Sequence, residues 1–356
     1  MQVTLLNKLK HLIAGEAFKM KSLIKNIFPQ FFYTFIREKV RYFRLSKSYF
    51  YDFTHYFNNS MNIDDFAENK LASRIIMDTH VIEKGLTMPD TRFGFGQPRL
   101  HILITNINCF INNFNSTNPQ ILHGISVIHE YIEFHKKNNV DLQEKSLNLY
   151  KNLCELQNSK SVESESKNQL KTTKEEYFKH TNSSFKSFSE SRSSLRDFTD
   201  ESISIDKIHE VLDLCRNTPS ACNRQSVRVH LYTNKNKIAD ILKVQGGNRG
   251  FGHLTEFLLV VTYDSAIYFE QNERNSGLVD GGMYCMNILY SLHANGIAGC
   301  ILNTANAPTK DINMRKVTNI PEGEYFVAMI ACGIPPDEFK IATSFRYPLN
   351  FILTDH

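Results

Sequence analysis

The C-terminal half of this chain is predicted to be an α+β domain, a mixed sheet flanked by helices, and a mostly helical region precedes it. Three observations predict this. From about Ser184 onward, strand-like and helix-like runs alternate. Two runs, from Phe257 to Val261 and from Tyr325 to Ala331, are apolar throughout over strand length, as buried strands are. Upstream, in residues 61–156, the apolar residues recur at helical spacing.

Residues 1–60 form a basic, aromatic-rich arm in which Phe28, Phe31, Phe32, Tyr33 and Phe35 lie among Lys and Arg. Ten Lys and Arg face two Glu in residues 1–50, a net +8 against +4 for the whole chain. Such an end suits an acidic partner surface. Two readings fit it: a helix lying on anionic lipid, or a helical arm packed on its own body or on a second subunit. Pro29 interrupts the amphipathic pattern. No helix-turn-helix, zinc finger or aromatic RNA-binding signature accompanies the charge, so nucleic acid is not expected. No apolar stretch of about 18 residues is present, and Glu16 and Lys19 break what would be the core of a signal peptide. The expected location is cytoplasmic, with peripheral contact at the inner membrane face through residues 1–50 as the alternative to free solution.

In residues 61–156, Leu71, Ile75, Ile76 and His80 mark one helix and Ile121, Ile125, Ile128 and Ile132 another, with a Gly/Pro-rich loop between Gly85 and Pro98. Residues 157–183 are polar and poor in aliphatics, and read as a linker or a charged surface helix. The domain of residues 184–356 follows. Ile205, Ile208, Leu212 and Cys215 line a helical face behind Ser204, a plausible N-cap. Val227, Val229 and Leu231 alternate with Arg228, His230 and Tyr232, the pattern of a half-buried strand. A buried helix through Met283, Met286, Ile288, Leu289 and Leu292 ends near Asn295-Gly296. The seven cysteines are odd in number and widely spaced, which favours free buried thiols over disulfides. The lack of a CxxC pair leaves a zinc site without support.

Three clusters carry chemistry. In Arg192-Ser193-Ser194-Leu195-Arg196, two arginines four apart share a face of a helical turn with a hydroxyl between them, a set able to grip phosphate or to be plain solvated surface. Pro219-Ser220-Ala221-Cys222-Asn223-Arg224-Gln225 offers Ser, Asn and Gln donors to a flat heterocycle, or ordinary turn chemistry. Gln245-Gly246-Gly247-Asn248-Arg249-Gly250 fails both the phosphate-loop and the dinucleotide patterns, and reads as a loop able to cover a ligand.

In this order, running on into Gly296-Ile297-Ala298-Gly299-Cys300, the clusters resemble the nitroreductase family over about residues 184–356. The resemblance implies FMN as cofactor. Arg192, Ser194 and Arg196 would hold its phosphate and ribityl chain, and Arg346 in Arg346-Tyr347-Pro348 would return to the phosphate. Pro219, Ser220, Asn223 and Gln225 would lie against the ring, Asn248 would reach its polar side, and the backbone around Cys300, Ile301 and Leu302 would meet the edge near N5. It also implies NAD(P)H as electron donor, a small electrophilic acceptor or biosynthetic intermediate, and a homodimer with the site at its interface. The chain departs from the family where Gln225-Ser226-Val227 stands for the usual Gln-Pro-Trp, and it has no Trp. No side-chain catalytic acid is implied, and Cys222 and Cys300 read as buried bystander thiols.

A second motif, from His80 through Glu83-Lys84-Gly85 to Arg92-Phe93-Gly94-Phe95-Gly96, is similar to the N-terminal extension of bacterial nitroreductase-like proteins linked to surface-polysaccharide gene sets. His80 and Glu83, three apart on a helix, suit a substrate or metal contact, or a helix-end salt bridge. A turn rimmed by Arg92 and Arg99 would cap the flavin pocket and select an anionic acceptor. The competing functional class is a low-turnover flavin-binding scaffold at the membrane face.

Overall fold

The computed structural model describes residues 30–114, 118–160 and 169–356. The readings made on residues 1–29, Phe28 and Pro29 among them, and on residues 161–168 of the polar stretch lie outside the described residues. Two compact units result. One takes in the described part of Met1–Ile63 with Phe269–Arg274, and the other takes in Asp64–Tyr268 with Asn275–His356.

In the first unit, α1 (Gln30–Tyr56) runs into a π-helical turn at Phe57–Met61. Phe35, Tyr42, Tyr49 and Phe53 are exposed and fall on one stripe of the helix, while Arg37, Arg41 and Arg44 fall on the opposite side. Asp52 accepts from both Nε and Nη2 of Arg274 at 2.6 Å.

The second unit begins with a bundle of α2 (Glu68–Leu86), α3 (Gln97–Asn113), α4 (Pro119–Lys137) and α5 (Glu144–Lys160). Of the stripes read in the sequence, Leu71, Ile75, Ile121, Ile125, Ile128 and Ile132 enter its core with Ile82, Leu103 and Ile107, while Ile76 is only half-buried and His80 is exposed. Helix α4 starts where Asn118 accepts from the Gln120 N–H and Pro119 supplies a preset φ. The Gly/Pro-rich loop is pinned to α4, because Tyr131 donates to the Phe95 carbonyl and the Gly94 N–H donates to His135 Nε2.

The described part of the polar stretch is built into the fold. β1 (Leu170–Thr173) pairs antiparallel with β6 (Glu338–Ile341), and α6 (Lys174–Phe178) starts on a Thr173 cap. The division between units therefore does not fall at residues 157–183. A strand of four residues that pairs with one 168 positions downstream leaves no local apolar signal to reveal it.

Then come α7 (Phe185–Ser191), α8 (Ile205–Leu214), β2 (Val227–Tyr232), α9 (Lys235–Gln245), β3 (Phe257–Asp264), α10 (Ser276–Ala294), β4 (Ala298–Asn303), α11 (Pro308–Thr318) and β5 (Glu324–Gly333). Ser204 caps α8 by accepting from the Lys207 N–H, as its position before the apolar face predicts. The sheet order is β2-β3-β5-β4, and each of these pairings is antiparallel. The α+β class holds: a sheet flanked by helices follows a helical region. On β3, Leu258 and Val260 pack with Ile238, Ile241 and Met314, while Phe257, Leu259 and Val261 pack with Ile208, Cys285 and Ile288. Helices thus cover both faces, which is why the β3 sequence is apolar throughout.

Candidate functional site

A cleft of about 660 Å³ opens between the helical bundle and the sheet, within the size range of cofactor sites. Its walls come from α2 (His80, Glu83), α4 (Gln120, His123), the segment after α7 (Arg192, Ser194, Arg196), β4 (Ile301) and residues 342–346.

The arginine segment is not helical. Arg192 already has extended dihedrals (φ −71°, ψ 122°), and residues 192–199 carry no regular structure. The expected helical turn is therefore corrected to an extended run. Alternate residues of an extended chain share a face: Ser194 and Arg196 line the cleft, with Arg192 and Ser193 beside them, while Leu195 between them is 1% exposed. Three backbone bonds fix the run: Tyr177 Oη donates to the Ser193 carbonyl, the Leu195 N–H to Gly299, and the Thr199 N–H to Ile334. On β4 the same alternation turns Ile301 to the cleft and buries Cys300 and Leu302 in the core.

The field of the cleft is positive. Burial lowers the pKa of His80, and the nearby Arg196, Lys84 and Arg346 push in the same direction against the pull of Glu83. His80 is thus held toward its neutral form at the cleft wall. Burial raises the Cys300 thiol, and Arg196 and Lys84 oppose it. The Arg192 Nε is buried and has no hydrogen-bond partner. A guanidinium N–H left unpaired in a cationic cleft suits an anion with several acceptor oxygens.

The structure gives Glu83 a partner other than His80. Glu83, 3% exposed, instead accepts from His123 Nε2 at 2.9 Å and from the Ser344 N–H at 3.1 Å. Gln120, His123 and Ser344 were not among the residues singled out in the sequence. They come together only because α4 meets the C-terminal segment, and no local pattern announces such a contact. Arg92 is exposed outside the cleft and Arg99 is paired with the buried Asp78 at 3.0 Å, so the Gly-rich turn packs on α4 and does not cap the cleft.

The loop of Pro219, Ser220, Asn223 and Gln225 does not line the cleft either. Cys222, Asn223 and Gln225 all have positive φ, at 53°, 54° and 50°. The shape is held by Asp280, which accepts from the Ala221 N–H and from Tyr268 Oη, and by Ser220 Oγ, which accepts from the Gln225 N–H. Cys222 is exposed there, whereas the sequence reading took it as buried; a residue in a left-handed turn has little room to tuck its side chain under. Asn248 uses its side-chain amide to cap the Leu242 carbonyl. Among the described residues no three His, Cys, Asp or Glu converge as metal ligands, and none of their helices is long and apolar enough to cross a membrane.

This geometry coincides with a family match: residues 190–248, which span the arginine run, the left-handed loop and Asn248, match the Nitroreductase family. The matched segment is preceded by the helical region and followed by the rest of the sheet. No curated protein matches the chain. Similar solved structures include an FMN-dependent nitroreductase from Clostridium difficile (17% identity, 46% of this chain and 92% of that one, TM-score 0.38). A nitroreductase family protein from Clostridium novyi is similar as well (17%, 43% and 86%, TM-score 0.39). So is a provisionally named nitroreductase from Desulfovibrio desulfuricans in complex with FMN (20%, 48% and 95%, TM-score 0.40).

Proposed function

We propose that the chain is an FMN-dependent oxidoreductase that moves a hydride from NAD(P)H to a small electrophilic acceptor or biosynthetic intermediate. The observation that carries this reading is the buried Nε of Arg192, left without a hydrogen-bond partner in a residue that lines a cleft with Ser194, Arg196 and Arg346, in a segment that matches the Nitroreductase family. FMN, when bound, would supply the two-electron chemistry. The chain's own residues bind and orient. Arg192, Ser194, Arg196 and Arg346 offer forked and hydroxyl donors to a phosphate. Ile301 gives an apolar wall beside them, and neutral His80 contributes a hydrogen bond instead of a charge.

Residues 219–225 are not among those that line the arginine cleft, so a second copy of the chain supplies them in this reading, and the working form is a homodimer. Asp280 would then position that loop against the neighbour's flavin. The test is an anaerobic titration of the FMN-loaded protein with NADH and with NADPH. Flavin bleaching that an electron acceptor reverses supports the reading, and a flavin that neither nucleotide reduces overturns the oxidoreductase.

A second reading, a low-turnover flavin scaffold at an anionic membrane face, draws on the opposed aromatic and cationic stripes of α1. Each cation near such a surface adds on the order of 1 kcal/mol, lost at high salt. Binding to anionic vesicles that salt abolishes supports it, and no binding overturns it.

A further inference from the structure

The helical bundle holds the C-terminal residues that complete the cleft. Glu83 of α2 accepts from the Ser344 N–H while it pairs with His123 of α4. Gln120 Nε2 donates to the Phe345 carbonyl at 3.0 Å, and the His123 ring stacks on Phe345 with centroids 5.8 Å apart. One residue earlier the Thr343 N–H donates to Gln169 Oε1, and Gln169 is fastened by its N–H and its amide to the Glu130 carboxylate. Ser344 sits at φ 45°, a conformation that a residue other than glycine keeps only when its surroundings impose it. The Arg346 guanidinium then turns back onto the Ser344 carbonyl and faces the cleft. Three consecutive residues, Thr343, Ser344 and Phe345, are thus gripped one by one, and the next is Arg346, an arginine of the anion site.

We propose that Glu83, with Gln120 and His123, is a positioning group for that site. The helical region exists to hold residues 343–346 in the bend that aims Arg346 at the cofactor phosphate. The inference rests on the FMN reading above and deepens it, since it makes the region before the sheet domain an integral part of the cofactor site. Glu83 touches no ligand in this account and acts through Ser344. Its buried carboxylate, 3% exposed beside a His123 that is 7% exposed, can keep both bonds only while the bend is in place.

The experiment measures affinity of the full chain for FMN and for riboflavin by flavin fluorescence quenching. The proteins are wild type, Glu83→Ala, Gln120→Ala, Arg346→Ala and the Glu83→Ala/Arg346→Ala double variant. Loss of one charge-supported hydrogen bond predicts FMN binding weakened about tenfold in Glu83→Ala and by less in Gln120→Ala, with riboflavin affinity unchanged. The double variant is expected to bind FMN no more weakly than Arg346→Ala alone, because both act on one contact. FMN affinities that stay at the wild-type level, or losses that add in the double variant, overturn the proposal. So does an Arg346→Ala protein that binds FMN as wild type does. If Glu83→Ala fails to fold, Gln120→Ala decides, since it leaves the buried Glu83–His123 pair intact. A wild-type protein that binds no FMN instead overturns the cofactor reading on which the proposal stands.

Discussion

The Tyr177 hydroxyl lies 2.6 Å from the carbonyl of Ser193 and donates to it, so a residue of the polar stretch fixes the backbone between Arg192 and Ser194. Burial pushes the Tyr177 phenol up to about 12. The folded state therefore holds this proton more tightly than the unfolded chain, where a tyrosine titrates near ~10. The stabilisation is complete below pH ~10 and is lost as pH rises toward 12. Tyr177→Phe is expected to cost about 1 kcal/mol at neutral pH and to flatten the alkaline loss. Denaturant melts at pH 8 and pH 11 check this, and an unchanged alkaline slope would contradict it.

His293 behaves in the opposite sense. Burial among Tyr177, Phe178 and Phe188, reinforced by Arg192, lowers its pKa to about 4, and its Nδ1 is buried without a partner. A base with a depressed folded pKa stabilises above its unfolded value of ~6.5 and loses that contribution as pH falls toward 4. His293→Leu should lower stability at pH 7 through loss of the Ser191 contact, yet remove part of the pH dependence between 6.5 and 4. Thermal melts across that window report it; equal slopes for both proteins would count against the assignment.

Gly85 shows how a single missing side chain joins two elements. A Cβ there would stand 1.9 Å from the Phe95 ring, so α2 and the Gly-rich turn touch only because residue 85 is glycine. Gly85→Ala is expected to lower stability by roughly 1–3 kcal/mol, the usual range for overpacking. Phe95→Leu in the same chain should return part of it. A Gly85→Ala protein as stable as wild type would mean the turn is not seated on α2.

The thiols give a map of exposure. Cys222 is exposed in its left-handed turn, whereas Cys215, Cys285, Cys300 and Cys332 are buried, and burial raises the pKa of all four. Iodoacetamide applied to the native protein should modify Cys222 and leave these four intact. In the proposed dimer FMN slows the reaction at Cys222. Peptide mapping that finds Cys300 alkylated first would contradict the burial of β4.

Much of this was legible from residue order. The period-3.6 stripes of α2 and α4, the cap at Ser204 and the apolar β3 and β5 all rest on local pattern, whereas the placing of Arg346 beside Arg192, Ser194 and Arg196 came from the family resemblance. What escaped is non-local. Nothing near Thr172 says that it pairs with Phe339, and nothing near Glu83 says that its partner is His123 and not His80. The arginine run was assigned the wrong periodicity because Arg-x-Ser-x-Arg satisfies both a helical i, i+4 face and an extended i, i+2, i+4 face. The neighbouring Leu195, buried against the sheet domain's core, decides between them only once that core is known.

The most direct test of the central claim is the visible absorbance spectrum of the purified wild-type chain beside Arg192→Ala, each before and after FMN is added and the excess removed. The account predicts flavin bands retained by the wild type and greatly reduced in Arg192→Ala, with riboflavin retained equally by both. A wild-type protein that stays colourless after FMN is supplied, or an Arg192→Ala protein that holds FMN as tightly, would contradict it.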